Sequence, residues 1–215
     1  MINQHYRVDI EETPNLLLIG GAGTGKSSLL IEILRQLDQQ YRNSRDRFLL
    51  IDSFGAGTFD EFRNNNRVKV LEIESVIDDN ATSMFYQTVD DELQTVIKEL
   101  ANRRSGKTKE QDWFNIFIFW DKLADPVAVN NISQFESYLH SFARWGGKYH
   151  VYTFCGTRIP EDDIASLRRL AISFQNKLFF RGSEMLATSW HYKKIRELIP
   201  GEMILVRDNS RDENE

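Results

Sequence analysis

Apolar positions along the chain follow two periods, and the alternation between them predicts the elements. Short apolar runs bounded by turn residues are Leu16–Gly20, Phe48–Asp52, Phe114–Asp121, residues 149–155 and Lys177–Phe180. Runs of that length read as strands, and near-continuous ones as strands buried on both faces. Val68–Ile73 and Met203–Val206 alternate like strands, and residues 5–10 like a short leading strand closed by the turn Glu11–Asn15. Between them, apolar residues recur every three or four positions. Lys26 to about Gln40 places Leu29, Leu30, Ile33, Leu34 and Leu37 on one face. Residues 82–104 do so with Phe85, Val89, Leu93, Val96, Ile97 and Leu100, and 131–144 with Ile132, Phe135, Leu139 and Phe142. Shorter helices are expected at 161–173, 183–188 and Tyr192–Leu198. Strands alternating with helices imply an α/β fold with a doubly wound, mostly parallel sheet. No repeat or linker interrupts it, so residues 1–206 read as one domain and 207–215 as a disordered polar tail. The loop Gly55–Thr58 is expected to be flexible, and the basic run Arg103–Lys109 to be exposed.

The first strand runs into Gly20-Gly21-Ala22-Gly23-Thr24-Gly25-Lys26-Ser27, and a helix opens there. This is G-x-x-x-x-G-K-[ST] in a strand–turn–helix setting, the P-loop motif. Glycines let consecutive backbone N–H groups converge into a nest for phosphate oxygens, and the helix N-terminus adds partial positive charge. The nucleotide-binding residues expected are Gly21, Ala22, Gly23, Thr24, Gly25, Lys26, Ser27 and Ser28, with Lys26 on the β/γ-phosphates and the Ser27 hydroxyl on Mg²⁺.

Composition changes this picture little. The 215 residues carry a formal net charge of −5, which argues mildly against a nucleic-acid partner. The single cysteine, Cys155, excludes an internal disulfide, suits a reducing compartment, and falls in an apolar run as a buried strand thiol. There is no secretory signal, and the apolar runs are short of the ~18 residues a spanning helix needs. The chain as given is cytosolic in character. The aromatic richness of Phe114–Trp120 is that of core packing rather than of a base-stacking platform.

Ligands of doubly wound sheets sit at the carboxyl ends of the strands, where two carboxylates fall, Asp52 and Asp121. Asp121, after four apolar residues, is the better candidate for the Walker-B carboxylate that holds the Mg²⁺ water shell; Asp52 is equally well read as a strand-end cap. ATPases of this kind usually place Glu next, to orient or deprotonate the attacking water. Here it is Lys122, which at neutral pH cannot serve as that base. Either Lys122 points to solvent, or the site binds nucleotide and barely turns it over. No Asn-Lys-x-Asp follows the sheet, so ATP is expected rather than GTP. His140, His150 and His191 have no metal-ligand spacing.

With these residues placed, the chain resembles the FtsK/SpoIIIE-type (RecA/FtsK-like) P-loop NTPases over residues 5–206. Trp120-Asp-Lys-Leu-Ala-Asp125 is similar to that family's Asp-Glu-Leu-Ala-Asp segment, with Lys122 in place of Glu. The strand ending at 155 and Gly156-Thr-Arg-Ile-Pro160 resemble its sensor strand, with Arg158 nearest the missing glutamine. Ile51–Gly55, Glu74–Asp79 and Pro200–Met203 are closer to one branch, the EssC/EccC ATPases of type VII secretion. The resemblance implies one ATPase module of a membrane-anchored bacterial protein with tandem modules, lying on the cytoplasmic side and similar to the last in such a chain. It implies as partners the other modules of the parent chain and secreted WXG100-type substrates or their C-terminal signal. The departures at Lys122 and Arg158 put hydrolysis, not the fold, in question.

Three readings stand at this point. One is an ATP-binding secretion module with weak or no hydrolysis and a role in substrate recognition or regulation. Another is a competent motor ATPase on DNA or protein, and the third a P-loop scaffold that binds no nucleotide. Trp113, Trp145 and Trp190 fall outside the strand patterns and are expected either to line a groove for a helical signal or to plug the core's edges.

Overall fold

β1 (Asn15–Ile19) is buried along its whole length, lying between β5 (Val151–Thr157) and β6 (Asn176–Phe180). β2 (Arg47–Asp52) pairs with β3 (Val68–Glu72) and with β4 (Ile116–Asp121), and β4 pairs with β5. The seven-stranded sheet runs β3-β2-β4-β5-β1-β6-β7, all parallel except β7 (Met203–Arg207), which lies antiparallel on the edge beside β6. The computed structural model describes residues 7–75, 77–123, 129–158, 164–183, 189–199 and 201–207.

Successive strand residues feed two cores, as a sheet covered on both faces requires. Leu16, Leu18, Phe48, Leu50, Phe117, Phe119, Tyr152 and Phe154 face α1 (Lys26–Gln40), which buries Leu30, Ile33, Leu34 and Leu37 against them. Phe48, Phe117 and Tyr152 are in register on adjacent strands and stack with centroids 4.7 and 5.2 Å apart; Phe119 and Phe154 stack at 4.9 Å. The aromatic strand is therefore core, as its pattern predicts. The opposite face packs Leu17, Ile19, Ile118 and Trp120 against α2 (Asp79–Arg104), α3 (Val129–Ser141), α4 (Ile164–Ser173) and α5 (Ser189–Arg196). α2 starts three residues before its apolar pattern, because the Asp78 side chain caps it by accepting from the N–H groups of Asn80 and Ala81. After α3 the helix widens into a π turn at Phe142–Gly146 and tightens into a 3₁₀ turn at Gly147–Tyr149. Cys155 is fully buried and burial pushes its thiol up, so it is inert.

Four expectations shift. Residues 7–10 form no strand: Val8 and Ile10 are buried, but the Val8 backbone pairs with the Gln36 side chain, which donates to its carbonyl (2.8 Å) and accepts from its N–H (3.2 Å). Alternating burial mimics a strand while a helix side chain supplies the partner. Arg207 ends β7 rather than starting the tail, and the helix expected at 183–188 lies largely outside the described residues. The loop Gly55–Thr58 is pinned, since Asp52 accepts from the N–H groups of Phe54, Ala56 and Thr58 at 3.0–3.1 Å and Glu72 from that of Gly57 at 2.8 Å.

The fourth is Arg103, expected in an exposed basic run. Its side chain is 0% exposed, pairing with Glu99 at 2.8 Å and donating to the carbonyls of Phe114 (2.9 Å) and Tyr149 (2.7 Å). Its guanidinium lies 4.8 Å from the Phe114 ring centroid. Arg103 joins the end of α2 to the entries of β4 and β5. Arg103→Met is expected to cost about 3 kcal/mol, because it leaves Glu99 and the two carbonyls short of a donor. A urea-melt loss below about 0.5 kcal/mol would show that the guanidinium only covers surface.

Candidate functional site

The glycine turn closes the carboxyl end of β1. Gly25 caps α1 in the left-handed region, φ +96°, where a side chain is disfavoured. Gly20 lies so close to β6 that a Cβ there would sit 2.5 Å from that of Phe180, and the Gly21 N–H donates to the Arg181 carbonyl at 2.8 Å. Ala22 and Gly23 are exposed at the crest, Thr24 is buried beneath it, and Ser28 is exposed on the first turn of α1. The Thr24 hydroxyl donates to the Gly21 carbonyl at 2.9 Å, closing the turn. Lys26 folds back over it, its Nζ 2.6 Å from the Gly21 carbonyl and 3.4 Å from Thr24 Oγ1. Burial lowers the Lys26 ammonium to about 8; Asp121 opposes the shift, and Arg158 and Lys122 add to it.

The sheet register brings the two strand-end carboxylates together. Asp52 and Asp121 are paired positions on β2 and β4, and both are buried. Their environments divide their roles. Asp52 is occupied by the three backbone N–H groups of the following loop, which makes it the cap. Asp121 accepts the Ser27 hydroxyl on both oxygens, at 3.0 and 2.8 Å, and the Thr58 hydroxyl at 3.2 Å. Burial pushes its carboxyl above the ordinary range, against the pull of Ser27 and of the Lys122 ammonium. A serine hydroxyl on a strand-end carboxylate beside a phosphate nest is the donor set that P-loop proteins offer to a magnesium–nucleotide pair.

Lys122 does not point to solvent. It follows β4 in the left-handed region, φ +58°, and the next N–H, of buried Leu123, donates to the Gly156 carbonyl at 2.9 Å. The ammonium lies 3.8 Å from Asp121 Oδ2, 4.0 Å from Asp52 Oδ1 and 4.8 Å from the Phe54 ring centroid, with the side chain 28% exposed. Sequence reasoning missed Thr58 and Phe54. Their only signal was their place in the loop after a strand-end carboxylate. Arg158 follows β5 and is close enough to shift Lys26. Asp125 lies outside the described residues.

Of these tryptophans, the described Trp113 and Trp145 line no open groove. Trp113 is half-buried, donates to the Thr108 carbonyl at 3.0 Å and packs on Tyr149 and His150; Trp145 is half-buried against the core, with the Arg104 guanidinium 4.3 Å from its ring centroid. The Trp190 side chain is not described. Among the described residues no group of histidine, cysteine and carboxylate side chains could hold a metal, and no helix is long and apolar enough to cross a membrane.

No protein-family model matches the chain, and no curated protein sequence does. Solved structures do match its fold. The pCW3 conjugation coupling protein TcpA, solved as a monomer with ATPγS, superposes with TM-score 0.63 at 20% identity, over 94% of this chain and 59% of that one. EssC ATPases 2 and 3 from Geobacillus thermodenitrificans give 0.62 at 17% identity, over 93% and 38%. Thermomonospora curvata EccC ATPases 2 and 3, in complex with a signal sequence peptide, give 0.56 at 14% identity, over 84% and 32%. The chain thus spans from about a third to about three fifths of these structures. Its fold is the P-loop ATPase fold of the EssC/EccC and coupling ATPases, as the resemblance in the sequence predicts.

Proposed function

We propose that the chain is an ATP-binding module of a type VII secretion ATPase, holding nucleotide with weak or no hydrolysis and acting in substrate recognition or regulation. The observation that carries this reading is the pairing of a formed glycine turn with a lysine where the catalytic carboxylate is needed. Gly21–Ser28 take the phosphates, Lys26 being the charge that reaches them. Ser27 and Asp121 would hold Mg²⁺, which when bound neutralises phosphate charge. Their donor chemistry fits the ion. The charge around them does not, because the Lys122 ammonium already stands against Asp121.

On the same reading the parent protein is membrane-anchored with this module in the cytoplasm. Its partners are the neighbouring ATPase modules and the C-terminal signal of a secreted WXG100-type substrate. The acidic net charge of −5 supports a protein partner over nucleic acid. The test titrates the domain with a candidate signal peptide and, separately, with short duplex DNA. Peptide binding in the micromolar range or weaker is expected, since the peptide must order itself to dock. Salt-sensitive DNA binding without peptide binding would favour a DNA motor instead.

A further inference from the structure

We propose that the Lys122 ammonium takes the part of the divalent cation, so that this protein binds ATP as well without Mg²⁺ as with it. The inference rests on the reading that phosphates occupy the glycine turn.

The ammonium lies beside two buried carboxylates from adjacent strands, with the exposed Phe54 ring 4.8 Å away. Asp121 is the carboxylate that the Ser27 hydroxyl contacts, so the ammonium stands beside the pair that a divalent ion would join. Nothing in the local backbone invites Lys122 to leave. Its left-handed conformation reverses the chain at the end of β4, and Leu123 behind it is fully buried. The carboxylate oxygens are also engaged elsewhere, those of Asp52 by three backbone N–H groups and those of Asp121 by two hydroxyls.

Charge balance points the same way. The carboxylates of Asp52 and Asp121 are matched by the ammonium groups of Lys122 and Lys26, so their charge is balanced before any metal enters. With glutamate at position 122 the same groups would be net anionic and would need a divalent ion before accepting a polyphosphate. A lysine is a compact charge that interacts with phosphate without fixed geometry, which suits it to neutralise an anion. A divalent ion entering beside it would meet strong like-charge repulsion in a partly desolvated site.

The experiment is calorimetric titration of ATP into the domain, once with Mg²⁺ and once with EDTA, on the wild type, Lys122→Gln and Lys122→Arg. Thermal melts verify that each variant folds. The wild type is expected to bind equally, within about threefold, in the two conditions. Lys122→Gln should lose about tenfold or more in EDTA and recover with Mg²⁺, while Lys122→Arg keeps metal-free binding. A wild type that needs Mg²⁺ for tight binding overturns the proposal, as does Lys122→Gln binding normally in EDTA. Absence of ATP binding in both conditions is a different result: it overturns the nucleotide reading itself and this proposal with it. Should Lys122→Gln not fold, the wild-type comparison with and without metal decides alone.

Discussion

Lys26→Ala is expected to lower ATP affinity by at least ~100-fold, the loss of about 2.7 kcal/mol of charge-assisted contact. Lys26 is the cation placed directly over the glycine turn, with its Nζ 2.6 Å from the Gly21 carbonyl. Phosphate oxygens in the nest would replace that carbonyl as its partner. The pH dependence provides an internal control. In the free protein burial holds this ammonium near 8 rather than 10.5, so above pH 8 the group that phosphate needs is increasingly neutral. Phosphate favours the charged form and raises its pKa, so binding takes up a proton there. Affinity therefore falls as pH rises through 8 in the wild type and stays flatter in Lys26→Ala. Millimolar binding that the substitution leaves unchanged would remove the glycine turn from the site.

The second large effect concerns turnover. Loss of a water-orienting base typically costs ~10²–10⁴-fold, and on the proposed reading the position of that base, 122, holds a cation. Hydrolysis by the wild-type domain with Mg²⁺ is expected far below the ~1 s⁻¹ of an ordinary slow enzyme. Lys122→Glu should raise the rate on the proposed reading, because the Ser27 and Thr58 hydroxyls already hold Asp121 in place. That variant also sets a third carboxylate beside Asp52 and Asp121, so its activity should require Mg²⁺ absolutely. Phosphate release by both proteins measures this. A brisk wild-type rate would mean that another residue supplies the base, with Asp125 the first to substitute.

The sequence made legible those features that depend on near neighbours. α1 begins at Lys26 and ends at Gln40, as its apolar spacing and the glycine turn require. Asp121 and Ser27 meet because strand end and helix start are joined through a single parallel sheet. What stayed hidden depends on partners distant in the chain. Arg103 looks exposed because its receptors, Phe114 and Tyr149, enter only when β4 and β5 align beside α2. Val8 looks like part of a strand because nothing local reveals that Gln36 satisfies its backbone. For Lys122 the residue type alone excluded a catalytic base. Where its ammonium goes depends on the β2–β4 register, which sets Asp52 beside Asp121, and on a left-handed backbone at a lysine. Neither has a signature in the residues around it.

The central claim, that the domain holds ATP without consuming it, has a direct measurement. Protein is mixed in excess over ATP and Mg²⁺, so that nearly all nucleotide is bound, and samples quenched from seconds to an hour are resolved by chromatography. The account predicts that over the first few seconds bound nucleotide is recovered as ATP and that ADP appears only slowly afterwards, with Lys122→Glu converting it within that first interval. Conversion of wild-type-bound ATP to ADP within seconds would contradict it.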